Sequence, residues 1–237
     1  MAAKKYYGVK KGKITGVFNS WQACKASVEG YSGAEYKGFA TLEDAKAYLG
    51  DQFDLCFETL EEFGESKAEA AELPAEGWLL AYVDGSYDDS LKKYAFGCVF
   101  ILSDGRVYTE YGNGDNAQSL QHRNVTGEML GAMYAVQFAR LNGFSKLEIC
   151  FDYQGIEKWV TGEWRAKTDL TDKYANSMRE WAKSIEIRFT KVAAHTNICY
   201  NELADKMAKT GLRKGNGVPK VRRIEDMEEY HGTDAIE

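Results

Sequence analysis

Four acidic side chains stand where a fold could bring carboxylates together. Each follows an apolar stretch or lies within a predicted helix, in the segments 81-AYVDGSY-87, 124-NVTGEML-130, 150-CFDYQ-154 and 200-YNELADK-206: Asp84, Glu128, Asp152 and Asp205. Each has an ordinary explanation. Asp84–Gly85 is a strong turn signal, Glu128 suits a helix N-terminus, Asp152 can cap a following helix, and Asp205 can lie on a solvated face. Those explanations leave open why two strands both end in Asp and continue into polar turns.

The four acids predict one kind of chemistry if they meet. Carboxylates within several ångströms of each other are mutually unfavourable unless a proton or a cation lies between them. A set without His or Cys ligands suits a hard, oxygen-seeking ion such as Mg²⁺. Two such ions about 4 Å apart can hold the attacking water and the leaving oxygen of a phosphodiester. Spacing alone does not decide between this hypothesis and the ordinary ones.

The elements that must position these acids follow from hydrophobic periodicity. Apolar runs and helical spacing predict a three-stranded meander, then alternating helices and strands, which implies a mixed sheet flanked by helices. The predicted strands cover 78–84, 94–102, 106–111, 146–151 and 185–191, and the predicted helices 126–141, 154–161, 170–183 and 200–210. The fold class is therefore α/β.

Composition divides the chain of 237 residues, with a net charge of −6, into unlike segments. Residues 1–50 hold eight lysines and four acids, a net of +4, in a small α+β pattern with a hairpin at 11–13. Residues 51–77 hold nine acids and one lysine, a net of −8, and read as a linker. The predicted catalytic region covers 78–212, and 213–237 reads as a flexible tail. The basic head predicts a polyanionic partner.

Cysteine usage and hydropathy exclude several classes. The five cysteines are scattered, odd in number and without CxxC spacing, which argues against a disulfide framework or a zinc site and favours a reducing, cytoplasmic location. No apolar run approaches the roughly 20 residues that span a bilayer. The N-terminus lacks the apolar region of a secretory signal. We expect a monomer with no membrane partner.

The segments YVDGSY, GEMLGAMYA, ICFDYQGIEKW and KVAAHTNICYNELADKMA occur in this order within residues 78–212. Together they resemble type 1 ribonuclease H. The resemblance implies an RNase H-like fold with a five-stranded mixed sheet, and two Mg²⁺ ions (with Mn²⁺ as an alternative) that promote hydrolysis of the RNA strand of an RNA–DNA hybrid. It implies 5′-phosphate and 3′-hydroxyl products.

The resemblance also assigns roles. The four acids would be the metal ligands, Asp84 and Asp152 nearest to both ions, and His195 would assist proton transfer or product release. Glu128 would also accept a ribose 2′-hydroxyl, the group that distinguishes RNA from DNA. The substrate-binding residues of this region would be Gly85, Ser86, Arg123, Asn124 and Trp164. Gly85 would leave room for a nucleic-acid backbone.

The sequence departs from the family pattern in three places. Arg123 stands where the family often has Thr before the Asn of its DNA-phosphate pocket, so the pocket would be rebuilt. His195 is followed by Thr196-Asn197-Ile198 instead of a small residue and Gly, which predicts a loop that moves differently. Only 43 residues separate Asp152 from His195, so the chain lacks the longer insertion that carries a basic handle helix in other members.

The head, 6-YYGVKKGKITGVFNSWQACKASVEGYSGAEYKGFATLEDA-45, resembles the hybrid-binding, viroplasmin-like module found before many type 1 ribonucleases H. Tyr7, Trp21, Tyr36 and Lys37 match its functional positions. Aromatic side chains can stack on the DNA strand while lysines neutralise phosphates. Gly38 replaces a second lysine of the module, which predicts weaker affinity.

Three alternatives remain at this point. Trp21 is equally explained as a core residue at a helix start. A second alternative is a non-cleaving binder of hybrid or double-stranded RNA, against which the presence of all four acids argues. A third is another nuclease of the same fold, of the resolvase type, against which the basic head and the GEMLGAMYA helix argue. Binding of double-stranded RNA by the head is a further expectation.

Overall fold

A computed structural model describes residues 6–12, 16–18, 21–49, 73–192 and 199–230, which fall into two compact units. The N-terminal unit contains the described residues up to 49, and the larger unit contains most of those from 73 onward. Most of the predicted linker lies outside the described residues. Among the helices that are described, none is long and apolar enough to cross a membrane.

The N-terminal unit is a three-stranded antiparallel sheet with two helices. Its elements are β1 (Tyr6–Lys11), β2 (Gly16–Phe18), α1 (Trp21–Val28), β3 (Glu35–Phe39) and α2 (Leu42–Leu49). The strand order is β2-β1-β3. Both helices contact β1. The predicted small α+β domain is confirmed.

The larger unit is built on a five-stranded sheet. Its strands are β4 (Trp78–Asp88), β5 (Lys93–Ile101), β6 (Val107–Gly114), β7 (Lys146–Phe151) and β8 (Glu186–Lys191). The order is β6-β5-β4-β7-β8; the first three form an antiparallel meander, while β7 runs parallel to β4 and β8 parallel to β7. The prediction of a mixed α/β sheet is confirmed.

Helices cover both faces of this sheet. They are α3 (Ala117–Leu120), α4 (Asn124–Leu141), α5 (Gly155–Thr161), α6 (Asp169–Trp181) and α7 (Cys199–Lys214), followed by a 3-10 turn at Ile224–Asp226. Both α4 and α7 contact β4 and β5. Coverage on two sides explains why 78–83 at the start of β4 is apolar and buried throughout, without polar alternation.

Two glycines let α4 and α7 approach the sheet from opposite sides. A Cβ on Gly85 would lie 2.1 Å from the carbonyl oxygen of Asn124 in α4. A Cβ on Gly97 would lie 2.1 Å from the carbonyl oxygen of Ala204 in α7. Gly97 is the cross-strand partner of Asp84, and consecutive residues of a strand face opposite ways. The two helices therefore contact opposite faces at the same level of the sheet.

Strand β4 does not end where the sequence predicts. Asp84 pairs with Gly97 inside the ladder, and the pairing continues through Gly85 to Asp88. The hairpin turn lies at 89–92 instead. The prediction of a turn at Asp84–Gly85 is wrong because a glycine that accommodates a helix and a glycine that permits a turn look alike in one sequence.

The end of the larger unit also differs from the prediction. Helix α7 continues to Lys214, and residues 215–229, which we call the strap, lie against β6 and α4. Val221, Ile224 and Met227 pack on the core. The prediction of a flexible tail is therefore wrong for residues 213–229, because its polar composition conceals apolar and hydrogen-bonding anchors. Residues 231–237 lie outside the described part of the chain.

Candidate active site

Register places two of the acids opposite each other. The parallel pairing of β4 with β7 ends at Tyr82 and Cys150. Asp84 and Asp152 each lie two residues beyond that last pair, where the strands separate. The carboxyl ends of neighbouring strands form a crevice at such a point, where ligands of open α/β sheets bind. The strand pairing therefore brings together two acids that are far apart in sequence.

Helix α4 supplies the third carboxylate. Ligand oxygens of Asp84, Glu128 and Asp152 all lie within 4.8 Å of one another. Glu128 is only 1% exposed, whereas the two aspartates are half-buried. The helix begins at Asn124, two residues earlier than predicted, so Glu128 lies in its second turn. The helix dipole acts within the first turn and does not account for this buried acid.

Backbone groups hold two of these carboxylates. The Gly85 N–H donates to Asp84 Oδ1 at 2.7 Å. The Tyr153 N–H, directly after Asp152, donates to Glu128 Oε2 at 3.3 Å. Asp84 is held by the backbone of the residue after it, and Glu128 is held by the backbone of the residue after Asp152. The backbone at the ends of these strands, and not mobile side chains, therefore fixes the positions of the two carboxylates.

Crowding raises the pKa values of two carboxyl groups. Burial, and then the charge of Asp152, raises the pKa of Asp84 to about 7. Burial, and then the charges of Asp152 and Asp84, raises the pKa of Glu128 to about 9. Both shifts express the cost of ionising neighbouring carboxylates in a partly dry site. A cation among these oxygens would offset that cost, and an all-oxygen donor set fits a hard divalent ion.

Asp205, the fourth predicted acid, lies near the three-carboxylate cluster. It lies on α7, and its charge is one of the smaller causes of the raised pKa of Asp84. Asp205 Oδ2 accepts a hydrogen bond from Lys209 Nζ at 2.6 Å, one turn further along the helix. Among the described residues it is not part of the close three-carboxylate group. Asn201, one turn before it, is buried. His195 lies outside the described residues.

Arg123 and Asn124 lie at the exposed start of α4. Arg123 has φ 50° and ψ −130°, in the region that favours glycine. A non-glycine residue in such a sparsely populated region costs about 1–3 kcal/mol. Its guanidinium lies 5.9 Å from the ring centre of Tyr87 on β4. The predicted Ser86 precedes that tyrosine and pairs with Ala95.

Gly85 has a different role from the predicted one. The space beside its Cα is filled by α4 backbone, with the Glu128 N–H 2.5 Å from the position of an added Cβ. The prediction that this glycine leaves room for a nucleic-acid backbone on that side is wrong. It leaves room for the helix that carries Glu128.

An aromatic group lies beside Asp152. Tyr153, Trp159 and Trp164 contact one another with ring centres 5.6–6.4 Å apart. Trp159 is core, at 9% exposure, while Trp164 is 38% exposed and has Lys158 Nζ 5.4 Å from its ring centre. Trp159 therefore packs in the core, whereas Trp164 faces solvent, as its predicted stacking role requires.

The N-terminal unit presents its own aromatic surface. The ring of Trp21 lies 5.6 Å from that of Tyr7 and 5.9 Å from that of Tyr36. Trp21 and Tyr36 are 45% and 43% exposed, so the interpretation of Trp21 as a core residue is wrong. Lys37, the residue after Tyr36, is exposed, and its Nζ lies 5.5 Å from the ring centre of Phe39. Gly38 pairs with Tyr7 across the sheet.

Sequence reasoning missed three features of these sites. The partnership of Lys209 with Asp205 is an i,i+4 pair that could have been found on the predicted helix. The contact of Tyr87 with Arg123 and the bond from the Tyr153 N–H to Glu128 join distant segments, and no local pattern marks them.

Comparisons with known proteins agree with this architecture. A family model described as Ribonuclease H1 N-terminal domain matches residues 5–49, and one described as RNase H matches 77–213. Ribonuclease H1 of Rattus norvegicus is 27% identical over 260 aligned residues, covering 90% of this chain and 90% of that protein. Ribonuclease H of Saccharomyces cerevisiae is 51% identical over 45 residues, 19% of this chain and 13% of that protein. The solved structure of RNase H1 from Halobacterium salinarum aligns with a TM-score of 0.49 at 26% identity, covering 57% of this chain and 97% of that chain.

Because the RNase H model matches more than half of the chain, the chain belongs to the ribonuclease H family. It is a hydrolase, with ribonuclease activity on RNA–DNA hybrids. The predicted combination of a hybrid-binding module with a ribonuclease H domain is confirmed at the level of the family.

Proposed function

We propose that the chain cuts the RNA strand of RNA–DNA hybrids internally by a two-metal-ion mechanism, leaving 5′-phosphate and 3′-hydroxyl ends. The observation that carries this proposal is the group of three carboxylates, from three separate elements, whose oxygens lie within 4.8 Å. A soluble protein without a role for cations would gain nothing from burying Glu128 against two other acids, because unpaired buried charge is costly.

Asp84, Glu128 and Asp152 would hold the ions, with Asp205 completing the shell of one of them. Mg²⁺ is the ion proposed because it prefers oxygen ligands and keeps several waters; Mn²⁺ accepts the same donors. When bound, a pair of such ions polarises the scissile phosphate and lowers the pKa of the attacking water. The rigid backbone contacts of Asp84 and Glu128 keep their oxygens in place for this.

Other residues would position the substrate. Asn124 is exposed one helical turn before Glu128, so the two can contact neighbouring parts of one strand. Glu128 would accept the ribose 2′-hydroxyl, which makes the site selective for RNA. Arg123, Ser86 and Trp164 would contact the sugar–phosphate backbones. His195 would assist proton transfer or product release.

The N-terminal unit would hold the substrate while the larger unit cuts it. Residues 1–50 would act as the hybrid-binding domain, 51–77 as a linker and 78–212 as the catalytic domain. The exposed rings of Trp21 and Tyr36 offer stacking surfaces, and Lys37 offers charge to a phosphate. A tethered binding domain raises the local concentration of substrate without a fixed geometry.

A strand-specific cleavage assay tests the proposal. Hybrid, double-stranded RNA, double-stranded DNA and branched DNA, each labelled on one strand, are incubated with Mg²⁺, Mn²⁺ or Ca²⁺. We expect cleavage of only the RNA strand of the hybrid, with Mg²⁺ or Mn²⁺, and product ends that a ligase requiring 5′-phosphate accepts. Tight binding without cutting would indicate the non-cleaving binder, and cutting of branched DNA would indicate the resolvase type.

A further inference from the structure

The strap, residues 215–229, is anchored by a buried asparagine of the edge strand β6. Asn113 is 3% exposed, and its Nδ2 donates to the carbonyl oxygens of Gly211 and Gly215, both at 2.8 Å. Its Oδ1 accepts from the Gly217 N–H at 2.9 Å, and its own N–H donates to the Gly217 oxygen at 3.1 Å. One side chain therefore ties the end of α7 and the start of the strap to the sheet edge.

Two further anchors hold the rest of the strap. Arg222 forms an ion pair with Glu110 of β6 at 2.9 Å, and the side chain of Glu110 is only 9% exposed. Asn142, at the end of α4, accepts from the Ile224 N–H at 2.8 Å and donates to the Arg222 oxygen at 3.3 Å. The strap is thus fixed along its length, and its surface side chains are presented from a rigid backbone.

Four cations of this region have no assigned partner. Arg213, Lys214, Lys220 and Arg223 are exposed. Unlike Arg222, none of them forms an ion pair or side-chain hydrogen bond within the described part of the chain. The four acids of the strap all follow Arg223. The segment 213–223 is therefore a basic surface on a chain whose net charge is −6.

Strand register puts the part of this basic surface from Arg213 to Lys220 level with the active site, whereas Arg223 lies beside Asn142 at the far end of α4. Ala95 of β5 pairs with Ser86 on one side and with Asn113 on the other. Ser86 lies two residues beyond Asp84 on β4. The anchor of the strap is therefore two strands, about 10 Å, from β4 at the level of the cluster. Double-stranded nucleic acid carries one charge per about 1.7 Å of axis, so about six phosphates span that distance.

We propose that the segment 213–220 is a contact for the phosphate backbone of the hybrid, separate from the N-terminal unit and from the carboxylate cluster. This inference rests on the proposed function, because the duplex must occupy the crevice for the strap to reach it. The cations would add affinity without sequence preference, since phosphate contacts position a duplex and do not read bases.

A salt titration of binding tests the strap separately from cleavage. The full chain carrying Asp84→Asn, to prevent cutting, and Trp21→Ala, to weaken the N-terminal unit, is compared with and without Lys214→Gln and Lys220→Gln. Fluorescence anisotropy gives the Kd of a labelled hybrid from low to high KCl. Each phosphate contact contributes about 0.9 to the slope of log K against log salt. We expect the slope to fall by one to two and affinity to fall about tenfold at about 0.1 M salt.

Two controls decide how the result is read. Lys173→Gln with Lys183→Gln removes the same charge from exposed positions of and just after α6, and should leave the slope unchanged. Lys214→Arg with Lys220→Arg keeps the charge, and should keep the slope even if the melting temperature changes. Equal slopes for the two glutamine pairs would overturn the inference. Failure of the parent chain to cut hybrid in the cleavage assay would count against the proposed function alone.

Discussion

The carboxylate cluster is buried and crowded, whereas the aromatic surface of the N-terminal unit is exposed. The cluster buries like charges until the pKa of Asp84 rises to about 7, and it fixes them by backbone hydrogen bonds and a close helix contact. The aromatic surface leaves Trp21 and Tyr36 nearly half exposed on a small sheet. The chemistry of the cluster requires crowded carboxylates, whose mutual repulsion opposes folding. Binding by the N-terminal unit requires exposed rings, each of which contributes separately to affinity. Single changes should therefore have large effects in the first region and moderate effects in the second.

The largest expected effect is the loss of cleavage on removing one carboxylate. Asp84→Asn or Asp152→Asn should lower the rate of hybrid cleavage at least about 10³-fold, because metal-ion stabilisation is worth several kcal/mol and each 1.36 kcal/mol is tenfold in rate. A gel assay with a labelled RNA strand measures the rate. Asp89→Asn, in the neighbouring hairpin turn, is the matched control and should cut at near the parent rate. Substantial cleavage by either cluster variant would refute the two-metal assignment.

The second-largest expected effect tests whether the close backbone contact between β4 and α4 holds the carboxylates together. Gly85→Ala places a Cβ 2.1 Å from the Asn124 oxygen, so α4 must move and carry Glu128 away from Asp84. Overpacking of this kind costs about 3 kcal/mol, which lowers the melting temperature by roughly 6–12 °C for a protein of this size. Cleavage should fall with it. Gly131→Ala, two turns away from Asn124 on the same helix, meets its nearest side-chain atom only at 3.2 Å and should be milder.

A moderate effect is expected in the aromatic surface. Trp21→Ala should weaken hybrid binding by about tenfold, because one base-stacking or sugar-stacking contact is worth about 1–3 kcal/mol. Tyr31→Ala, another exposed ring of the same unit at 44% exposure, is the control and should bind normally. Cleavage of a short hybrid at saturating concentration should be nearly unchanged for Trp21→Ala. Equal losses from both variants would mean that the unit binds through general hydrophobicity and not through this surface.

The smallest effect concerns stability without divalent ions. The folded-state pKa of Asp84, about 7, lies above its ordinary value of 3.8, so the folded protein retains a proton that the unfolded chain releases. Stability in EDTA should therefore decline as pH rises from about 4 to about 7, and then level off as far as this group is concerned. Chemical denaturation at several pH values measures this decline. Asp84→Asn should reduce it and should also reduce the stabilisation produced by added Mg²⁺; an unchanged slope would contradict the crowding.

Most helices and strands could be predicted because the hydrophobic periodicity that indicates them depends only on residues close together in the sequence. Strand β7 and helix α5 lie within a residue of their predicted bounds, and the mixed sheet follows from the order of elements. Asp84, Glu128 and Asp152 could be predicted as a group from their motifs, and the structure brings these three together. The continuation of β4 through Asp84 could not be predicted, since only its pairing with Gly97 shows that Gly85 is a helix contact and not a turn. The strap was mistaken for a flexible tail because its anchors, Asn113 and Glu110, lie about a hundred residues earlier.

The amino-acid sequence by itself determined which carboxylates exist, which segments form strands and helices, and that a basic segment precedes an acidic one. Those properties depend on side-chain chemistry and on neighbours a few residues away. Only the tertiary structure decided that Asp84 and Asp152 stand at the same level beyond the last strand pair, that Glu128 is buried against them, and that the basic segment 213–220 is level with the crevice. The physical reason is that strand register and glycine-mediated contact of helix with sheet join distant segments, and their distances are set by the whole fold.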